Sequence, residues 1–433
     1  MAILKAVRGT RDLLPPETAL WNRIETTARR VFARYNFGEI RTPVFEDTWL
    51  FARSVGEETD IVSKEMYTWE DRARAQSEKA QSLTLRPENT AGVVRAYIEH
   101  KLGETGQLQK LYYIGPQFRR ERPQKGRYRQ FSQIGAEVIG PPSAGSESPL
   151  RDAEVLEMLA TLLDELGITG WTLEINSVGS SADRARYNET LRQALIPLAP
   201  KMCEDCQRRA VTNPLRVLDC KVPEDQPLIE TLPKIVDSLD EASKTHFAAV
   251  TAALDAAGVP YRRNHRLVRG LDYYTRTTFE FTHGGLGAQN ALLGGGRYDG
   301  LSEAIGGPKA PGIGFAMGED RLVLTLQALE AAAPEKNDAY IAPLGEALNP
   351  AALALARELR RGGLSVELGD GSFRLKKSFD AADKTARRIV ILGEDELASG
   401  ILTVKDFATG VQTKVPRAEL AGMLCSSEQG SAK

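Results

Sequence analysis

The densest chemistry in the chain lies in Phe118-Arg119-Arg120-Glu121-Arg122-Pro123-Gln124-Lys125-Gly126-Arg127-Tyr128-Arg129-Gln130-Phe131, where six cations surround a proline and a glycine between two strand-like runs. The segment reads as a basic hairpin loop. Guanidinium groups can hold phosphate oxygens two at a time, and a cationic tip suits an RNA backbone; a solvated turn can have the same composition. Arg269-Gly270-Leu271-Asp272-Tyr273-Tyr274-Thr275-Arg276 sets cations beside two aromatic rings, and Leu293-Gly294-Gly295-Gly296-Arg297-Tyr298 allows close backbone approach next to another arginine and tyrosine. Both suit the walls of a ligand pocket. Pro311-Gly312-Ile313-Gly314-Phe315-Ala316-Met317-Gly318-Glu319-Asp320-Arg321 passes from a glycine-rich strand into a helix with an arginine in its first turns. It has neither the G-x-G-x-x-G spacing nor the βαβ context of a dinucleotide fold.

Cys203, Cys206 and Cys220 are bunched, and Cys-x-x-Cys with a third thiol can hold zinc if His246 or another residue completes a tetrahedron. The usual second pair is missing, so no metal site is assigned. Four cysteines in 433 residues do not make a disulfide framework and read as reduced cytosolic thiols.

These segments need elements to position them. Leu20, Ile24, Ala28, Val31 and Tyr35 have the spacing of a helix with one buried stripe. Ile40 to Phe45 is then extended, and Pro43 places it at an edge or an interface. Strand-like runs at Ser82 to Arg86, Leu108 to Ile114, Phe131 to Ile139 and Thr277 to Phe281, without regular helical crossovers, indicate an antiparallel sheet. Helical patterns run from Ala91 to Leu102, from Arg151 to Leu166 and from Ala316 to Leu329. The polar, helix-prone stretch of about 183–257 reads as an inserted helical subdomain.

Residues 331–337 look like a linker closing a catalytic region, 1–330. The alternating strands and helices of 338–425 form a small α/β domain, and 426–433 is a frayed tail. The fold class is α+β.

Hydrophobic residues at 42% and charged residues at 26% place the chain among folded globular proteins. A net charge of −2 leaves any nucleic-acid contact to local clusters such as Arg374, Lys376 and Lys377. The first residues lack a signal-peptide apolar run, and no stretch approaches a membrane span; a cytoplasmic location is expected.

Taken in order, the Pro43 segment, the Arg119-to-Gln130 loop and the glycine-rich strand with Arg321 resemble the three signature motifs of class II aminoacyl-tRNA synthetases. The Arg269-to-Tyr274 and Gly294-to-Tyr298 segments resemble the two peptides peculiar to the histidine-specific branch. Arg8-Gly9-Thr10-Arg11-Asp12 and Leu85-Arg86-Pro87-Glu88-Asn89-Thr90-Ala91 fit the same family, and the similarity spans about Val7 to Glu419. The resemblance implies a class II catalytic domain with an antiparallel sheet flanked by helices, a helical insertion and a C-terminal anticodon-binding domain.

It also implies the chemistry. Histidine is activated with ATP to histidyl-adenylate and pyrophosphate, then transferred to the 3′-terminal ribose of tRNA(His). Arg119 would hold the α-phosphate, Arg321 the γ-phosphate, and Arg269 would add charge from the other side; the transition state spreads negative charge over phosphate oxygens. Mg2+ would bridge the phosphates, with Glu121 and Glu137 as unassigned nearby carboxylates. Glu88, Thr90 and Gln133 would receive the α-ammonium of L-histidine, and Glu137 and Tyr274, with Tyr273 nearby, would face its imidazole. Gly294, Gly295, Gly296 and Tyr298 would wall the pocket. Gln124, Lys125 and Arg127 would meet the acceptor stem, where the family reads an extra 5′ guanosine. Since the Pro43 segment lies at the subunit interface in this class, a homodimer is expected.

Asn89, Ser132 and Asp320 depart from the common glycine, histidine and glutamate of the family, and Asn tolerates the unusual backbone angles a glycine there can adopt. A catalytically silent regulatory subunit of ATP phosphoribosyltransferase shares the fold, but such proteins tend to lose the catalytic arginines and the anticodon domain. A prolyl, threonyl or glycyl enzyme of the same subgroup is opposed by the Arg269-to-Tyr274 peptide.

Overall fold

The computed structural model describes residues 3–56, 59, 61–71, 80–124, 126–268, 273–286, 290–329 and 336–425. The chain divides into two compact units, Met1–Ala332 and Ala333–Lys433.

The first unit is built on an eight-stranded sheet. Its six central strands are antiparallel neighbours, in the order Gln109–Phe118, Gln130–Ile139, Gly312–Gly318, Ala291–Arg297, Thr275–His283 and Trp171–Ser177. Short parallel strands, Gly38–Glu39 and Arg262–Arg263, close the two edges. Strand alternation gives the sheet two chemically different faces. Tyr112, Ile134, Ala136, Val138 and Phe315 join one large apolar core with Ile24, Ala28, Val31 and Phe32 of helix Glu17–Arg34 and Leu156, Leu159 and Leu163 of helix Pro149–Glu165. The i, i+4, i+7 spacing of the first helix turns one stripe onto the sheet, and each large side chain so buried contributes about 2 kcal/mol. The opposite face carries Tyr113, Gln133, Gly135 and Glu137, and the site is built there.

A separate three-stranded sheet pairs Phe45–Asp47 and Tyr67–Asp71 with the central Gln81–Leu85. Residues 40–44 enter it as irregular backbone, and Phe45–Asp47 is an edge strand. The second unit has a five-stranded sheet ordered Val366–Leu368, Asn337–Pro343, Ala386–Leu392, Ile401–Asp406 and Gln412–Pro416, parallel in its first three strands and antiparallel in its last two.

Several boundaries differ from the sequence reading. The 183–257 stretch divides in two: Val178 to Leu239 has a small core of its own, whereas helix Glu241–Ala257 sends Val250 and Leu254 into the main core. Ala316 to Gly318 belongs to a strand, held by pairing with Gln133 to Gly135, and the helix starts at Glu319. Strand Trp171–Ser177 was not anticipated, and the Gly294–Gly296 run is mid-strand. Asn337 already pairs in the second unit's sheet; 331–335 and the tail 426–433 lie outside the described residues.

Candidate active site

Two adjoining features occupy the polar face of the large sheet. The first is an open cavity of about 290 Å³, lined by Arg119, Arg127, Gln133, Gly294, Gly318 and Arg321 among others, with Glu121, Glu280 and Asp320 as its carboxylates. Its floor is almost free of side chains. Residues 294, 296, 314, 316 and 318 alternate onto this face, and all are glycine or alanine. A Cβ at Gly318 would meet nothing within 4 Å, so open space lies directly over the backbone.

Each arginine of the cavity is braced. Arg119 donates from Nε to the Pro87 carbonyl (2.8 Å) and lies over the Phe131 ring at 5.2 Å. Its Nη1 is 3.9 Å from Glu121, whose other oxygen is 3.4 Å from Arg127. Arg321 donates to the Ala291 carbonyl at 2.7 Å. Guanidinium groups held in this way are preorganised donors for an anion.

The second feature is a buried polar cluster. Glu137 is fully buried; Oε1 accepts from the Thr90 hydroxyl (2.7 Å) and Oε2 from the Tyr298 hydroxyl (2.8 Å). Burial pushes its carboxyl up to about 8; the two hydroxyl bonds oppose this and the like charge of Glu88 adds to it. Glu88 accepts from the backbone N–H groups of Thr90 (2.8 Å) and Ala91 (3.0 Å), so it caps the first turn of helix Thr90–Glu99. Burial raises its pKa, and those N–H bonds and the charge of Arg119 pull it down. Tyr113 and Gln133 face the same space, and the Gln133 Oε1 is buried without a protein hydrogen-bond partner. Tyr273 packs between Tyr274 (4.8 Å between ring centroids) and Tyr298 (6.0 Å).

The glycines around this cluster have steric reasons. A Cβ on Gly314 would lie 1.6 Å from Glu137 Oε2, one on Gly135 2.3 Å from the Tyr113 ring and hydroxyl, and one on Gly296 2.8 Å from Tyr274. Gly295 points the other way, toward Phe279 and Phe315 of the apolar core, so it does not wall the pocket; strand alternation removes it. Asn89 has φ −119°, so the left-handed tolerance of asparagine is not used. Its Oδ1 instead accepts from Thr42 at 2.6 Å. Glu137, with both oxygens engaged by hydroxyls and its ionised form disfavoured, does not fit magnesium, whereas Glu121 and Glu280 are carboxylates on the wall of the open cavity.

Of the expected site residues, Arg119, Arg321, Gln133, Arg127 and Gly294 meet at the cavity. Glu88, Thr90, Glu137, Tyr298, Tyr273 and Tyr274 gather beside it, with Gly296 against Tyr274. Gln124 and Arg127 bond each other's backbones at the hairpin tip around Gly126 (φ 77°). Arg269 and Lys125 lie outside the described residues. Sequence reasoning gave no role to Tyr113 and Glu280, which sit on unremarkable strands, or to Tyr128, which it quoted only as part of the basic loop. It also gave Arg11 no role. Arg11 pairs with Asp320 (2.8 Å) and Glu17 (2.7 Å) and lies over Tyr128 at 4.8 Å, tying the N-terminal segment to the start of the Arg321 helix.

At the end of the Ala291–Arg297 strand, fully buried Arg297 donates to Asp152 (2.8 Å), Asp299 (2.7 Å) and the Ser146 carbonyl (2.7 Å), while His246 sits 2.8 Å from the other Asp152 oxygen. Burial works against the Asp152 charge, but Arg297 and His246 hold its pKa below the usual range.

Comparison with known proteins agrees with this geometry. The histidyl-tRNA synthetase family model matches residues 9–322, and an anticodon-binding domain model matches 338–426. The histidine–tRNA ligase of Koribacter versatilis is 74% identical over 420 residues, covering 97% of this chain and 95% of that protein. That of Solibacter usitatus is 56% identical, covering 98% and 99%. The crystal structure of the apo histidyl-tRNA synthetase of S. aureus superimposes with a TM-score of 0.77 at 38% identity, covering 98% of this chain and all of that one. The chain therefore belongs to the histidyl-tRNA synthetase family.

Proposed function

We propose that the protein ligates histidine to tRNA(His) in two steps, adenylate formation with ATP and transfer to the 3′-terminal ribose. The observation that carries this reading is the junction of an open cavity bearing Arg119 and Arg321 with a buried carboxylate cluster centred on Glu137, both on one face of one sheet.

ATP occupies the open cavity, its base against the bare backbone near Gly318 and its phosphates between the two guanidinium groups, Arg119 at the α- and Arg321 at the γ-position. Arg269, by the family resemblance, adds its charge to the same phosphates. Glu121 and Glu280 would hold the magnesium that accompanies ATP, which would neutralise phosphate charge there. Histidine lies over the Glu137 cluster. Gln133 Oε1, Glu88 and the Thr90 hydroxyl supply acceptors for its ammonium group, and Glu137 with Tyr273 and Tyr274 faces the imidazole. A ring that cannot pair with Glu137 leaves a buried polar group unsatisfied, and this rejects isosteres. The carboxylate is thereby held for in-line attack on the α-phosphorus, and Arg119 meets the charge that develops there.

Gln124, Lys125 and Arg127 at the hairpin tip contact the acceptor stem. Arg374, Lys376 and Lys377 are exposed at the start of helix Leu375–Thr385, where backbone N–H groups add to their attraction for anticodon phosphates. The protein acts as a cytoplasmic homodimer. Phe45, Trp49 and Trp69 are 52%, 64% and 40% exposed around the three-stranded sheet, an apolar surface that suits a subunit contact. Among the described residues, no helix is long and apolar enough to cross a membrane.

Amino-acid-dependent exchange of labelled pyrophosphate into ATP, run without tRNA across all twenty amino acids, tests the proposal. Exchange with histidine alone is expected. Exchange with another amino acid reassigns the pocket, and no exchange with any overturns the ligase reading in favour of a regulatory protein.

A further inference from the structure

The small core of Val178 to Leu239 contains a constellation that neither adenylation nor transfer uses. Sulfur atoms of Cys203, Cys206 and Cys220 and a carboxylate oxygen of Asp225 all lie within 4.8 Å of one another, with Cys206, Cys220 and Asp225 buried. Cys203 and Cys220 Sγ are 3.9 Å apart, and Cys220 Sγ is 3.2 Å from Asp225 Oδ2. A tetrahedral zinc with bonds of about 2.3 Å to sulfur and about 2.0 Å to oxygen sets sulfur–sulfur distances near ~3.8 Å and sulfur–oxygen distances near ~3.5 Å. The observed spacings bracket what such an ion needs. His246, considered from sequence as a fourth ligand, is engaged with Asp152 instead.

Three features of the surroundings favour a cation. Cys203 is the N-cap of helix Glu204–Thr212 and Cys206 lies in its first turn, the Cys-x-x-Cys geometry that brings two sulfur atoms to one ion. The Asp225 carboxylate is held by the Cys203 N–H (3.0 Å to Oδ1), and the Val222 N–H points at Cys220 Sγ (3.4 Å), the kind of outer contact that orients metal ligands. Finally, a segment of roughly sixty residues is near the size at which a hydrophobic core alone is marginal and a staple is common.

We propose that Cys203, Cys206, Cys220 and Asp225 bind one structural zinc ion. Thiolates select a soft ion, four ligands leave no open position, and the site therefore has no catalytic role. Its effect on the neighbouring segment runs through Arg266. That side chain donates to Gln226 (2.8 Å), Glu230 (2.7 Å) and the Leu218 carbonyl (3.4 Å), while Gln226 donates to the Cys220 and Val222 carbonyls (both 2.9 Å). Zinc thus stiffens the loop on which residues 265–268 rest, just ahead of Arg269.

The test uses the untagged full-length chain purified without chelator, with zinc measured by plasma mass spectrometry. About one zinc per chain is expected, surviving desalting and released as the thiols are titrated. Cys220→Ser and Asp225→Ala should lower retained zinc at least tenfold, and Cys425→Ser, which changes an exposed thiol outside the cluster, should not. In case the variants misfold, the wild-type chain is stripped and given Co2+; thiolate-to-cobalt charge-transfer absorption with tetrahedral visible bands is expected. Zinc below a tenth of an equivalent together with no such spectrum overturns the proposal, as does zinc that Cys220→Ser leaves in place or a Cys203–Cys220 disulfide in the metal-free native protein.

Discussion

Replacing Glu137 with glutamine preserves the shape of the side chain and removes its titration, so its effect on stability should depend on pH. The carboxyl sits at about 8 in the folded protein against an ordinary 4.5. A raised folded value means that folding takes up a proton. The stability associated with the protonated form is fully present below the unfolded value and is lost as pH rises toward 8. At about 1.4 kcal/mol per pH unit, the wild-type residue costs about 1 kcal/mol at pH 5, about 3 at pH 7 and about 5 at pH 8.5. Glutamine can still accept from Thr90, and its amide can donate to Tyr298, whose hydroxyl must then turn. The expected outcome is that Glu137→Gln is more stable than wild type without histidine, by a margin growing about 2 to 3 kcal/mol between pH 5 and pH 7. Urea unfolding of the ligand-free protein at pH 5, 7 and 8.5 measures this. Histidine-dependent exchange should fall sharply in the same variant, because glutamine, unlike the carboxyl, cannot give up a proton when the imidazole pairs with it. A stability difference that stays constant across the three pH values would refute the assignment of a buried, proton-retaining Glu137.

Other perturbations follow from distances. Gly314→Ala drives a methyl group to 1.6 Å from Glu137 Oε2, and the forced repacking should cost about 1–3 kcal/mol and raise the histidine KM more than the ATP KM in exchange assays. Gly318→Val fills open space over the cavity floor, so the reverse split is expected. Arg119→Lys keeps the charge but loses the planar fork; kcat for exchange should drop by about two to three orders of magnitude with little change in melting temperature. Asp152→Ala leaves Arg297 buried without its main partner and should destabilise the first unit by about 3–5 kcal/mol, read from chemical denaturation.

Much of the site was legible because it is written in consecutive residues. The Arg119-to-Arg129 loop lies between strands whose apolar alternation is plain, and helix Glu17–Arg34 displays its stripe openly. Strand Ala291–Arg297 was harder for a physical reason: three successive glycines erase the two-residue period that distinguishes pocket face from core face, so Gly295 could not be told from its neighbours. Contacts between distant residues were invisible for a different reason. Arg297 with Asp152, and Arg11 with Asp320, join segments whose spacing carries no signal, and Asp225 near the thiols is one acid among many until the chain folds. The helical stretch after residue 183 was read as one body because amphipathic spacing does not say which core a helix serves.

The order of strands in the large sheet also bears on how the chain is made. Strand Gln130–Ile139 has one neighbour, Gln109–Phe118, early in synthesis, but its other neighbour is Gly312–Gly318. Roughly 170 residues must leave the ribosome in between, which at typical elongation rates takes on the order of 10 to 30 s. Through that interval the hairpin bearing Glu137 and Arg119 presents an unpaired edge, the condition in which nascent sheets associate wrongly. The insertion around Cys206 emerges during the same interval and carries its own small core, so it can fold while the hairpin waits. The nascent chain is therefore most in need of a chaperone between the synthesis of Ile139 and that of Gly318.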